Sequence, residues 1–203
     1  MEINKIMNNQ KRIKMTDASI QSFKNTEKWR EWLEENQHQQ EGVWLQIFKN
    51  QSGIETVTYQ QALEEAICYG WIDGQKKKYD EKSYIQKFTP RRAQSLWSKR
   101  NIGLVEKLTN ARRMKHRGIK EVEKAKTDGR WEKAYDSPSN MPIAEDFLKE
   151  LAKDKKAKNF YESLNKTDRY SINWRLQTAR KPETRERRMK EILKMLNEER
   201  KFH

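Results

Sequence analysis

Cysteine, histidine, proline and glycine are all scarce in this chain, at one, three, four and seven of 203 residues. A lone cysteine, Cys68, cannot form an internal disulfide and cannot build a paired-cysteine zinc site. The histidines, His38, His116 and His203, lie far apart with no helical pairing, so no metal site is expected. The glycines form no phosphate-cradling loop, and neither HExxH nor a nucleophile-elbow serine is present. No cofactor is expected on these grounds. No apolar run approaches the ~20 residues of a membrane-spanning helix. The segment Met1 to Thr16 carries Lys5, Lys11, Arg12 and Lys14 among scattered apolar residues, without the continuous hydrophobic stretch of a secretory signal. A cytoplasmic protein is the expectation.

What the chain does contain is charge and aromatic surface. Lys and Arg number 44 against 30 Asp and Glu, a formal net charge of +14. Seven Trp, seven Tyr and six Phe enrich the 34% of hydrophobic residues, enough for a packed core. The charge is uneven: residues 76–130 hold eighteen basic and six acidic residues, whereas residues 1–75 hold eight and eleven. Such a basic zone suits an anionic metabolite or a nucleic acid, and a solvated Lys-rich surface is the plainer alternative.

Periodicity predicts the elements. A loosely ordered lead-in covers residues 1–22. Thr26 reads as the cap of a helix over 27–36 with Trp29, Trp32 and Leu33 on its apolar face. Val43 to Lys49 alternates as a strand. Thr58 and Gln61 form a capping box before Leu63, Ala66 and Ile67, and Gly70 ends that helix. Residues 71–88 read as a β-hairpin, and helices follow from about Ser98 and near 119–126. Ser137 to Pro142 reads as a linker. Beyond it stand three helices around Phe147, Phe160 and Tyr170, and a fourth starting at Pro182 with Met189, Ile192, Leu193 and Leu196 as its stripe. The expected class is α+β. A domain over 23–136 carries a small, mainly antiparallel sheet with packed helices, a linker covers 137–144, and an all-helical region covers 145–203.

Four strings place polar and aromatic residues at element ends: Trp71-Ile72-Asp73-Gly74, Phe88-Thr89-Pro90-Arg91-Arg92, Ser95-Leu96-Trp97-Ser98 and Asp128-Gly129-Arg130-Trp131. Arginines beside tryptophan faces can hold a carboxylate or phosphate and stack on a ring. The helix start near Ser98 adds backbone donors. A ligand site is therefore read over Trp71, Asp73, Arg91, Arg92, Ser95, Trp97, Ser98, Asn101, Asp128, Arg130 and Trp131. Arg91 and Arg92 would grip an anion, Trp97 and Trp131 would supply stacking faces, and Asp73 would orient an arginine. The competing reading is scaffold, with Asp73 paired to an arginine, Ser98 capping and the tryptophans in the core. Cys68, between Ile67 and Tyr69 on an amphipathic helix, reads as a packed residue.

Taken in order, Val57-Thr58-Tyr59, Gly70-Trp71-Ile72-Asp73-Gly74-Gln75, Phe88-Thr89-Pro90-Arg91-Arg92, Trp97-Ser98, Asp128-Gly129-Arg130-Trp131 and Ala179-Arg180-Lys181-Pro182-Glu183-Thr184-Arg185 resemble the YdeI/OmpD-associated family, also called bacteriocin-protection proteins. The resemblance covers about residues 22–203. It departs at Arg112, where a glycine is expected before Arg113-Met114. It implies the two-part fold above and a link to antimicrobial-peptide or bacteriocin resistance and to an outer-membrane porin, with no agreed enzymatic activity. The expectation is a non-enzymatic binding or stress-protection protein whose partner is an anionic small molecule or a protein. Nucleic-acid binding through residues 76–130 is one alternative. An enzyme with Asp73, Asp128 or Cys68 as the reacting group is the other.

Overall fold

The computed structural model describes residues 19–137 and 140–201. The lead-in read over 1–22 lies outside these residues up to position 18, as do positions 138 and 139 of the linker. The chain divides into two compact units, one holding residues up to Ala93 with Lys107–Glu123, the other Gln94–Glu106 with everything from Lys124. Residues 94–106 and 124–136, read in the sequence as part of the α+β domain, thus cluster with the helical unit.

The first unit is built on a four-stranded sheet in the order β1-β2-β4-β3, from β1 (Ile20–Ser22), β2 (Val43–Phe48), β3 (Trp71–Lys78) and β4 (Ser83–Pro90). β1 runs parallel to β2, and the β2–β4 and β3–β4 pairs are antiparallel. The fold is α+β, with a mainly antiparallel sheet as expected. Helix α1 (Thr26–Glu35) starts at the residue expected to cap it, one position earlier than read. Asn25 holds that role because its extended backbone lets its side chain accept from the Lys28 N–H, which leaves Thr26 as the first helical residue. Helix α2 (Tyr59–Cys68) has the capping box at Thr58 and Gln61, and Gly70 follows with a φ of +74° that suits glycine.

Alternation gives the sheet a core face with Val43, Leu45, Ile47 and Phe88, all buried. Trp29 locks α1 to α2 by donating its indole N–H to the Ala62 carbonyl at 3.0 Å. Its ring packs 5.3 Å from Trp32 and 5.5 Å from Phe88, and Trp32 meets Trp71 edge-on at 5.8 Å. Helix α4 (His116–Thr127) begins against the end of α2, where the Lys115 N–H donates to the Cys68 carbonyl at 3.1 Å. Gly118 makes this approach close: a Cβ there would stand 2.2 Å from the Cys68 carbonyl oxygen.

The second unit holds the start of α3 (Lys99–Asn110), the end of α4, and α5 (Glu145–Leu151), α6 (Lys155–Ser163), α7 (Lys166–Gln177) and α8 (Pro182–Asn197). The four helices expected after the linker are all present. Phe147, Leu151, Ala157, Tyr161, Ile172, Leu176, Ile192 and Leu196 form its core. Arg185 ties three helices together: its guanidinium donates to both Asp146 oxygens and to the Leu176 carbonyl. Those hydrogen bonds hold the Asp146 carboxyl below its ordinary range.

Candidate functional site

The eleven predicted site residues fall into two sets. Trp71, Asp73, Arg91 and Arg92 belong to the first unit, and Ser95, Trp97, Ser98, Asn101, Asp128, Arg130 and Trp131 to the second.

The second set does come together. Arg130 is buried, with its Nε donating to both Asp128 oxygens (2.8 and 2.7 Å) and its Nη1 donating to the Ser95 carbonyl (3.0 Å). Burial opposes ionisation of Asp128, but the hydrogen bonds from Arg130 outweigh it and hold the carboxyl below its ordinary value. Ser98 accepts from the Asn101 N–H at 3.1 Å and caps α3. Trp97 is buried against Trp131, ring centroids 5.0 Å apart, and Lys126 lies 5.3 Å over the Trp131 ring. The Arg130 guanidinium is therefore spent on joining the 95–98 and 128–131 turns. Asp136 anchors the next stretch of chain, accepting from Lys99 and from the Gln177 amide, both at 2.7 Å, with Tyr135 edge-on to Trp174.

In the first unit Trp71 is fully buried and faces Trp32, so its ring is core. Asp73 accepts from the Tyr59 hydroxyl at 2.7 Å, so the group it orients is a tyrosine. Arg91 is buried, its N–H donating to the Gly70 carbonyl at 3.0 Å, and Arg92 is exposed.

Two groupings were not read from the sequence. One is an ionic cluster under α1, α2 and the 111–115 turn. Glu65, with 3% of its side chain exposed, accepts from Arg30 (2.9 Å) and Arg113 (2.6 Å), and Glu64 accepts from Arg113 (3.1 Å) and Lys107 (3.3 Å). Burial alone would raise the Glu65 carboxyl, but the two arginines outweigh it and the net direction is down. Burial also pushes the neighbouring Cys68 thiol up to about 11, which suits a packed residue and not a nucleophile.

The other is a set of lysines held on aromatic rings of the sheet. Lys76 lies 4.0 Å over the Tyr84 ring on one face. On the opposite face Lys77 lies 4.7 Å and Lys87 5.5 Å from the centre of the Trp44 ring. The bulge between Asp73 and Lys76 sets this arrangement, because it decides which lysine shares a face with Tyr84 and which with Trp44. The available signal was the Lys76-Lys77-Lys78 run on an alternating segment, opposite a strand with Tyr84 and Lys87.

With this geometry in view, known families account for most of the described chain. Residues 140–199 match the model described as "Bacteriocin-protection, YdeI or OmpD-Associated". The chain carries a YdeI/OmpD-associated domain. Residues 21–121 match a separate model, a domain of unknown function (DUF8412). No curated protein and no solved structure matches. The YdeI/OmpD-associated domain contains α5 to α8 and the Asp146–Arg185 pair. The lysine–aromatic sheet and the Glu64–Glu65 cluster lie within residues 21–121. Among the described residues no group of His, Cys, Asp and Glu could hold a metal, and no helix is long and apolar enough to cross a membrane.

Proposed function

We propose that the protein binds a phosphate-bearing strand, a single-stranded nucleic acid, through the β3–β4 ribbon, and that it works as a binding protein in the cytoplasm. The observation that carries this is the fixing of Lys76, Lys77 and Lys87 over Tyr84 and Trp44. A ring contact holds an otherwise mobile ammonium in place while leaving its N–H donors directed outward. Trp44 is only 4% exposed, so it serves as a holder for lysines and not as a stacking platform. Binding of this kind grips phosphates, is tolerant of sequence and depends strongly on salt. Lysines on an edge strand such as β3 also deter pairing with other strands, but that role does not require them to sit on rings of the neighbouring strands.

The predicted arginine–tryptophan site contributes less to this reading, since Arg130 and Trp71 are engaged in holding the fold. Bacteriocin protection, named in the description of the model matched by residues 140–199, is the setting in which such binding would act.

The test is fluorescence anisotropy with a labelled oligothymidine at about 50 to 200 mM salt, for the wild type and for Lys76→Ala/Lys77→Ala/Lys87→Ala. Single strands release about 0.7 counterion per neutralised phosphate, so three lost contacts flatten the log–log salt slope by about 2. Across that salt range this equals about a 20-fold difference in how far affinity falls. No binding at low salt, or an unchanged slope in a folded triple variant, overturns the proposal.

A further inference from the structure

The turn between β3 and β4, Tyr79-Asp80-Glu81-Lys82, ends the lysine-bearing ribbon and carries an aromatic side chain that the fold leaves in solvent. Tyr79 is 47% exposed, the one aromatic among the exposed large hydrophobic side chains of the described residues. We infer that Tyr79 is a stacking face for one unpaired base of the bound strand, beside the lysines that take its phosphates. The inference rests on the strand-binding reading and deepens it by adding a contact to a base, which lysines on phosphates do not supply.

The register places the ring. The Tyr79 N–H donates to the Ser83 carbonyl at 3.4 Å, one step beyond the Lys78–Tyr84 pair. Alternation along the strand therefore assigns Tyr79 to the face of Lys77, the face on which Lys77 and Lys87 lie over the Trp44 ring. Two residues of a strand span about 7 Å, so the exposed ring follows Lys77 directly. Trp44 is buried beneath its lysines, and Tyr79 supplies the open ring that this face otherwise lacks.

The backbone that presents Tyr79 is tied down. Asp80 Oδ1 accepts from the Lys82 N–H (2.8 Å), the Ser83 N–H (2.6 Å) and the Ser83 hydroxyl (2.8 Å). Lys49 braces the turn from the end of β2, its N–H donating to the Lys82 carbonyl (2.8 Å) and its ammonium to the Glu81 carbonyl (2.9 Å). A fixed turn lowers the ordering cost of a contact made at its tip. The acidic groups of the turn are engaged within the protein: Glu81 pairs with Lys78 at 2.8 Å, and the hydrogen bond from the Ser83 hydroxyl holds the Asp80 carboxyl below its ordinary value. Lys82, exposed in the same turn, adds positive charge beside the ring. Every base has a flat face, so one tyrosine stacks on any of them and the binding stays tolerant of sequence.

Fluorescence anisotropy on the full chain tests the inference, with a labelled oligothymidine and an abasic strand of the same length. The proteins are the wild type, Tyr79→Ala and Tyr79→Phe, with Leu148→Ala as a control at an exposed apolar residue of α5. One stacked base is worth about 1–3 kcal/mol, so Tyr79→Ala should weaken oligothymidine binding about 5- to 150-fold. The salt slope should not change, because tyrosine carries no charge at neutral pH. Tyr79→Phe and Leu148→Ala should bind as the wild type does, and the abasic strand should bind wild type and Tyr79→Ala alike. Equal wild-type affinity for the two strands overturns the inference without needing any variant. So does an unchanged Tyr79→Ala, an equal loss on the abasic strand, or a Tyr79→Phe as weak as Tyr79→Ala; the lysine surface stands in these cases if wild-type binding keeps its steep salt dependence. No binding of either strand by the wild type removes the strand-binding reading and the inference with it.

Discussion

Two glycines in helices should respond to alanine in opposite directions, and the structure sets the size of the difference. Gly103, in α3, has nothing within 4 Å of where a Cβ would stand. Alanine there gains only helix propensity, about 1 kcal/mol. Gly118, in α4, lies where a Cβ would meet the Cys68 carbonyl oxygen at 2.2 Å, the Ile67 oxygen at 2.8 Å and the Cys68 carbonyl carbon at 2.9 Å. All three are backbone atoms at the end of α2, so no side chain can swing aside and the helices must move apart by about 1 Å to restore ordinary contact. Overpacking of this kind costs about 1–3 kcal/mol. The same movement stretches the 3.1 Å bond from the Lys115 N–H to the Cys68 carbonyl, a further loss of about 1 kcal/mol. After the propensity gain, Gly118→Ala should destabilise by about 1–3 kcal/mol while Gly103→Ala stabilises by up to about 1 kcal/mol. Melting temperatures should then move by about 2–4 °C per kcal/mol, down for the first and up for the second. A Gly118→Ala protein as stable as the wild type would refute the close approach of α4 to α2.

Other outcomes follow from the buried polar groups and the backbone. Arg112 occupies a left-handed conformation, φ +55°, at the end of α3, which is where the family resemblance expects glycine. Arg112→Gly should stabilise by about 0.5–1 kcal/mol in chemical denaturation, and a loss of stability would contradict the strain. Glu64 and Glu65 have folded pKa values below their ordinary ones, so their contribution is complete above the unfolded value of about 4.3 and is lost as pH falls through the folded values. Denaturation measured from pH 7 downward should show stability falling below about pH 5, less steeply in Glu65→Gln; an identical slope would contradict the cluster. Removing Glu65 should cost less than the ~3–5 kcal/mol of a fully buried pair, because Arg30 and Arg113 each keep over a third of their side chains in solvent. Cys68, at about 11, should have about one thiolate in a thousand at pH 8 and react with a thiol reagent only on unfolding.

The parts of this architecture that local chemistry determines were legible from the chain. Thr58 and Gln61 cap each other three residues apart, Gly70 stops α2, and Pro182 opens α8, all where short-range spacing said. Long-range pairing was not legible. β1 has three residues, too few for an alternation signal, and exists because Ile20 and Ser22 pair with Trp44 and Gln46. Arg30 and Arg113 reach Glu65 from 35 and 48 residues away, and no spacing rule connects them. Among the candidate site residues the strings were correctly placed at element ends. Exposure was not readable: Trp71 and Arg130 looked like ligand groups by type, yet one closes an aromatic core and the other joins two turns. The lysines on Tyr84 and Trp44 were hidden by a single bulge, since a one-residue slip sends each side chain to the other face.

The most direct test of the central claim is a nitrogen-15 amide titration of the full chain with oligothymidine at low salt. Binding through the lysine–aromatic ribbon should shift amides of β3 and β4, Lys76, Lys77, Tyr84 and Lys87 foremost, and leave α5 to α8 unmoved. Shifts confined to those helices, or none at saturating strand, would contradict it.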